Sequence, residues 1–430
     1  MSRYPVLPKE LFIENRQRLV SLLKQDSIAI IHSNYVFPAS ADENFPFKQN
    51  SDLLWLTGIN QPNTTLVFLI DKFGSVDEYI FVDKTDPNLA VWEGDKQTMD
   101  QVRHISGIQN VEYTDNFDSF LEKNIFRFKN IYLDFNEHLR ASREILNQNE
   151  KKVLCYKEKY PLHNFERLSP LISELRQVKL DFEIEIIKDA IRITKDIFDE
   201  ILKIIRPGMY EFEIEALITY MGLKNGAYGN AFSPIVAGGI NSCILHYQKN
   251  ENVLKEGDIV LLDFGVNYGF YNSDITRVVP VSGKFTERQK DIYSAVLDVQ
   301  RQAMAFLKPD VTYEEYEKFV GNLIEEKLIE LDLITIEDVK NQSPQNPVYR
   351  KYYMHRTSHF LGIDVHDVNV ATGIVKVGTV LTCEPGIYVK EEAIGVRLEE
   401  DILITESGTE NLTASIPIDP DHIEQIMNSR

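Results

Sequence analysis

Cysteine is scarce in this chain. The 430 residues contain three, Cys155, Cys243 and Cys383, an odd set without close pairing. That argues against a disulfide framework. Long apolar runs are missing as well. No stretch approaches the ~18–20 apolar residues of a membrane span, so no membrane partner is expected. The opening Met-Ser-Arg-Tyr-Pro-Val-Leu-Pro has no apolar run of the length a secretory signal needs, and a cytoplasmic location is the expectation. Positive charge is in deficit: 46 Lys and Arg face 66 Asp and Glu, a net charge of −20. Such a surface repels phosphate backbones, so nucleic acid is not an expected partner. There is no internal repeat, low-complexity tract or proline-rich linker.

What remains is an ordinary globular composition, 43% apolar and 26% charged. At ~150 residues per domain the length suggests two domains. In the first part, apolar runs at 28–32, 65–70 and 78–82 read as short buried strands. Helical patterns fall at 9–24, 97–102 and 116–124. This alternation predicts an α/β domain, a sheet covered by helices, over residues 1–175. A long amphipathic helix then begins near Leu180: Phe182, Ile187, Ala190, Ile191, Thr194, Ile197, Phe198, Ile201 and Ile205 keep helical spacing until Pro207-Gly208 stops it. A second helix follows at about 211–224. From 229 onward, short strands separated by Gly, Asn and Pro surround one helical block at 286–330. This is α+β patterning, and it assigns residues 176–430 to a second domain.

The second domain carries the chemistry. Residues 257–280 read as strand, turn, strand. A two-residue turn at Tyr268-Gly269 places Asp263 directly opposite Asp274 on one face. Side chains so paired have Cβ atoms ~4.5–5.5 Å apart. Two bare carboxylates at that distance repel each other, and a bound cation would relieve them. Three of the nine histidines, His355, His359 and His366, fall within twelve residues. Imidazole is the commonest metal ligand and an acid/base near neutral pH. Glu384, beside Pro385-Gly386, stands at a strand end or bulge that re-aims side chains. Strand alternation puts Arg397, Glu399 and Asp401 on one face and Glu400 on the other, leaving open which glutamate is functional. Two aspartates, a histidine and two glutamates on strands of one domain make a hard, oxygen-rich site. It suits Mn²⁺, Mg²⁺ or Fe²⁺, and bridging carboxylates suit a two-metal hydrolase.

These motifs resemble the creatinase/methionine-aminopeptidase superfamily of pita-bread fold, and within it the Xaa-Pro aminopeptidase (aminopeptidase P) family. The similarity runs almost end to end. It covers Phe47-Lys48-Gln49-Asn50-Ser51-Asp52, Trp55-Leu56-Thr57-Gly58 and Trp92-Glu93-Gly94 in the first half. In the second it covers Ile244-Leu245-His246-Tyr247, Leu262-Asp263-Phe264-Gly265, Ser273-Asp274-Ile275-Thr276-Arg277, the His355–His366 stretch, Glu384-Pro385-Gly386-Ile387-Tyr388 and Arg397-Leu398-Glu399. The resemblance implies an α/β N-terminal domain followed by an α+β pita-bread catalytic domain. It implies two divalent metal ions, Mn²⁺ foremost, held by Asp263, Asp274, His359, Glu384 and Glu399, with Asp274 and Glu399 bridging. Spacing from Arg397 within the family motif selects Glu399 over Glu400.

His246, His355, His366, Glu384 and Arg397 would then surround the substrate. The implied activity releases the N-terminal residue of peptides with proline in second position, by hydroxide generated between two cations. The chain would act as a homodimer or homotetramer in which Asp52 and Trp92 approach a neighbour's site. Arg356, where the family often has Gly, and Asp95-Lys96 after the Trp-x-Gly segment depart from the pattern. Both departures lie off the metal ligands, and they bear on subsites and subunit contacts. Two other readings compete: a prolidase cutting Xaa-Pro dipeptides, and a catalytically dead pita-bread module that binds peptides or proteins. Methionine aminopeptidase would leave about 175 N-terminal residues unexplained.

Overall fold

A computed structural model of the chain describes residues 4–138, 140–141, 144–368 and 373–429. The chain forms two compact units, one spanning Leu7–Arg176 and the other built mainly from Gln177 onward. Among the described residues no helix is long and apolar enough to cross a membrane.

The first unit is α/β. Its six-stranded sheet runs Asn110–Tyr113, Val76–Val82, Thr65–Ile70, Ser27–His32, Asn130–Leu133, Asn164–Arg167 in spatial order. The two inner pairings, Ser27–His32 with Thr65–Ile70 and Thr65–Ile70 with Val76–Val82, are antiparallel. The outer pairings are parallel. Continuous apolar runs form the middle strands because helices cover both of their faces. Ile28, Ile30, Val67, Leu69 and Phe81 pack on one side against Phe117, Leu121 and Ile125. Three strands, Asn110–Tyr113, Asn130–Leu133 and Asn164–Arg167, are too short to stand out from the sequence alone.

A carboxyl pair sits in this unit. Arg176 donates to Asp52 at 2.6 Å, and Asn50 donates to Asp134 at 3.1 Å. Burial, then the nearby charge of Asp52, pushes Asp134 up to about 8. A carboxyl raised on folding holds its proton more tightly in the native state, so stability is lost as pH rises from its unfolded value toward 8. Replacing Asp134 with Asn is therefore expected to flatten the fall in thermal midpoint between pH 5 and 8. Parallel pH profiles for variant and wild type would contradict this.

The second unit is α+β. Its long helix, Asp181–Ile204, buries Ile187, Ala190, Ile191, Thr194, Ile197, Phe198 and Ile201. Phe182, expected on that stripe, is instead exposed, and Ile205 is buried just past the helix end. The helical block at 286–330 resolves into two helices, Glu287–Phe306 and Tyr313–Glu330, begun by the capping threonines Thr286 and Thr312.

Two long hairpins lie at the centre. In the first, Ile259–Phe264 pairs with Ile275–Pro280, and Ile235–Gly238 adds on the other side. The turn is one residue later than the sequence reading. Asn267 pairs with Asn272 and Tyr268 with Tyr271, so Gly269 and Phe270 occupy the turn, with φ of 56° and 70°. Two left-handed residues match the twist of a hairpin. Phe270 stacks on Tyr228 with ring centroids 4.6 Å apart, a contact that favours the strained residue. Asp263 is consequently opposite Thr276, not Asp274. Because the change in partner is two residues and side chains alternate with period two, Asp274 keeps the same side. Gly265 enables the close approach there: a Cβ on it would lie 1.7 Å from the Ser273 carbonyl oxygen.

The second hairpin pairs Val380–Cys383 with Glu400–Thr405, then Gly386–Val389 with Ile394–Arg397. Pro385 has no N–H for the ladder and interrupts it. The register nevertheless continues across the gap, where Leu398 donates to the Pro385 carbonyl at 3.3 Å. Glu384 and Glu399 stand across from each other at this break. All five anticipated ligands were expected on strands. Only Asp263 lies within one, and the other four sit where regular pairing stops.

Candidate metal centre

The site forms where the two hairpins meet. The Glu399 amide donates to the Thr276 carbonyl at 3.1 Å, and the Thr276 hydroxyl donates to Glu399 Oε2 at 2.6 Å. The Asp274 amide donates to Asp401 Oδ2 at 3.1 Å. Glu384 is anchored by its own amide, which donates to the Thr357 carbonyl at 2.7 Å. The irregular segment carrying His359 is held by the Thr382 hydroxyl, which accepts the His359 amide at 3.1 Å.

His359 gives the clearest geometry. Its Nδ1 lies 3.2 Å from the Phe360 carbonyl oxygen. A carbonyl only accepts, so Nδ1 carries a proton and Nε2 is the nitrogen available to ligate a metal. Nε2 faces Asp274 Oδ2 at 3.6 Å, Glu384 Oε1 at 3.6 Å and Glu399 Oε1 at 3.8 Å. Ligand atoms of Asp274, His359 and Glu399 lie within 4.8 Å of one another, the group among the described residues suited to hold a metal ion. Asp274 Oδ1 is buried without a hydrogen-bond partner.

The electrostatics agree. Burial, reinforced by Glu399, Asp263, Asp401 and Glu384, pushes the Asp274 carboxyl well above the usual range. Glu384 is pushed well up by burial and the charge of Glu399. Glu399 reaches about 8, through burial and Asp263. Burial also raises Asp263, against the pull of Arg397. An imidazole nitrogen aimed into converging carboxylates, with one buried oxygen unpartnered, fits hard divalent cations, whose charge removes the repulsion.

Arg397 organises the cluster from behind. It donates to Asp263 Oδ2, to Thr276 Oγ1 at 3.1 Å and to Tyr388 Oη at 3.0 Å. His355 Nδ1 lies 2.8 Å from the Arg356 carbonyl, which assigns its proton there, so Tyr388 Oη donates to Nε2 at 2.7 Å. Burial, then the positive charge of Arg397, lowers His355 to about 3 and keeps it neutral. His366 is exposed and packs edge-on to His359, ring centroids 4.4 Å apart. His246 is exposed in the turn after Gly239–Cys243, close enough to act electrostatically on Asp263 and His355.

Of the two adjacent glutamates, Glu399 faces His359. Glu400 points the opposite way and pairs with Arg277 at 3.0 Å, both side chains at most 2% exposed. Sequence reasoning passed over Thr276, which joins Arg397 to Glu399. The correct turn would have shown it opposite Asp263. Glu317, which accepts the Thr357 amide at 2.8 Å, carries no sequence signal. Asp52 and Trp92 lie in the first unit. Asp52 is held by Arg176, and Trp92 is 85% exposed on a helix, Pro87–Glu93, without a buried residue.

Residues 185–406 match the model of metallopeptidase family M24, and residues 12–132 match the aminopeptidase P N-terminal domain. A Xaa-Pro aminopeptidase of Haemophilus influenzae is 32% identical, with 98% of each chain covered. One of Escherichia coli is also 32% identical, again with 98% of each covered. The structure of Escherichia coli aminopeptidase P with the inhibitor Pro-Leu superposes with a TM-score of 0.88 at 31% identity, covering 99% of both chains. The N-terminal-domain match thus falls on the first unit and the metallopeptidase match on the second, and the chain belongs to metallopeptidase family M24, within its aminopeptidase P group.

Proposed function

We propose that this chain is a Xaa-Pro aminopeptidase that removes the first residue of peptides carrying proline second. The observation that carries the reading is His359 Nε2 facing Asp274, Glu384 and Glu399 at 3.6–3.8 Å. Asp263, Asp274, His359, Glu384 and Glu399 are proposed to hold two divalent ions, Mn²⁺ foremost, with Asp274 and Glu399 shared. When bound, such a pair supplies a nucleophilic water at neutral pH and Lewis acidity toward the scissile carbonyl.

The protein groups do the rest. Arg397 orients Asp263 directly and Glu399 through Thr276, holding the donor set in place before substrate arrives. His366, exposed beside His359, is placed to donate to the carbonyl oxygen as negative charge develops there. The Glu384 side chain is 17% exposed, which leaves it able to take a proton and pass it to the departing proline nitrogen. His246 and the neutral His355, steadied by Tyr388, are proposed to contact the peptide around the proline.

Exhaustive EDTA treatment is expected to abolish hydrolysis, and Mn²⁺ to restore it. Activity that survives chelation and ignores added metal would overturn the metal reading. Comparing a Xaa-Pro dipeptide with a Xaa-Pro-Xaa tripeptide separates this function from prolidase: the tripeptide is the expected better substrate. Purified protein without stoichiometric metal or activity would favour the binding-module reading. A cytoplasmic homodimer or homotetramer is also proposed, supported by the three unpaired cysteines and the exposed Trp92.

A further inference from the structure

The segment that presents His246 is held by a carboxylate outside the site. Glu211, first residue of the helix Glu211–Lys224, is fully buried. Its Oε1 accepts the Gly238 amide at 2.8 Å and Asn241 Nδ2 at 3.0 Å. Its Oε2 accepts Tyr247 Oη at 2.7 Å and the Asn252 amide at 2.9 Å. The Glu211 amide returns a bond to the Asn252 carbonyl at 3.0 Å. One oxygen therefore binds the strap before His246, and the other binds it after. All four donors are neutral, so the charge is balanced by these dipoles and the helix N-terminus rather than by an ion pair. Between its two ends the strap leans on the strand of Arg397, where Ser242 Oγ accepts the Gly395 amide at 2.8 Å. Tyr247 is pushed up to about 12 by burial and by its bond to Glu211, so it remains a donor.

We infer that Glu211 is a positioning residue for peptide binding: its carboxylate closes the 238–252 strap at both ends and sets where His246 stands beside the metal centre. The inference rests on the proposed contact between His246 and the peptide. Losing the carboxylate would leave the donor set of the metal centre intact while freeing His246 to move, which weakens substrate binding more than turnover.

The test uses full-length, metal-loaded protein. Glu211→Gln puts an amide N–H₂ against two of the donors. Its KM for a Xaa-Pro-Xaa peptide is expected to rise about tenfold with kcat within about twofold. Tyr247→Phe, which removes one donor, should move KM in the same direction by less. In a His246→Ala background, Glu211→Gln should add nothing to KM, because the group it positions is gone. Amide hydrogen exchange over 238–252 should quicken in Glu211→Gln. A KM effect that persists without His246, a fall in kcat with KM unchanged, or unchanged KM in Tyr247→Phe would overturn the inference, the last even if Glu211→Gln does not fold. If wild type cleaves no Xaa-Pro peptide, the proposed function fails, and exchange over 238–252 still decides the tether: unaltered exchange in the variants overturns it.

Discussion

Replacing Asp274 with Ala is expected to lower hydrolysis of a Xaa-Pro-Xaa peptide by about a thousandfold or more, about 4 kcal/mol of transition-state stabilisation. Asp274 combines three properties found together nowhere else in the cluster. Its Oδ2 faces His359 Nε2, its Oδ1 is buried without a partner, and four other carboxylates act on it. A side chain so placed is costly unless a cation is bound. Removing it relieves that cost while deleting a proposed shared ligand. The variant should therefore fold normally, bind less Mn²⁺ and hydrolyse poorly. Activity within tenfold of wild type in a folded variant would remove Asp274 from the catalytic set and undermine the two-metal reading.

The adjacent pair Glu399 and Glu400 should separate function from stability. Glu400→Ala is expected to destabilise the fold by about 3–5 kcal/mol, because it strands a buried guanidinium. Arg277 is fully buried, and its other bonds go to the carbonyls of Thr276, Glu399, Ile416 and Pro417. Thr413 would lose its carboxylate partner as well. Glu399→Gln should do the reverse, leaving the unfolding midpoint near wild type and abolishing hydrolysis, since the amide is uncharged like the protonated carboxyl that burial favours but is a far poorer ligand for a cation. Denaturant unfolding and peptide assays on both variants check this. Loss of stability in Glu399→Gln with Glu400→Ala unaffected would reverse the assigned roles.

Much of the fold was legible because burial writes itself into periodicity. The runs at 28–32 and 65–70, and the stripe from Ile187 to Ile201, are buried as the pattern predicts. Exceptions have local causes. Phe182 belongs to the first helical turn, at the surface, although its spacing matches the stripe. The gap at 307–312 that splits the helical block at 286–330 depends on Thr312 beginning a new helix.

The site was legible to a smaller degree. Residue types alone argue for a hard, carboxylate-rich metal centre, since Asp in an apolar strand and clustered histidines need a compensating partner. The proposed proline specificity rests on the aminopeptidase P relationship.

Tertiary structure decided what pairing distances do not encode. A turn shifted to Gly269-Phe270 made Thr276, rather than Asp274, the partner of Asp263. A break at Pro385 set Glu384 against Glu399. Packing of one hairpin on the other directed Glu399 to His359 and Glu400 to Arg277. Sequence by itself determined which kinds of groups were available and which faces they shared, because alternation is a local property of the strand. Which carboxylates converge on one nitrogen is a long-range property, fixed only when Asp274 is brought beside Glu384 and Glu399, more than a hundred residues away.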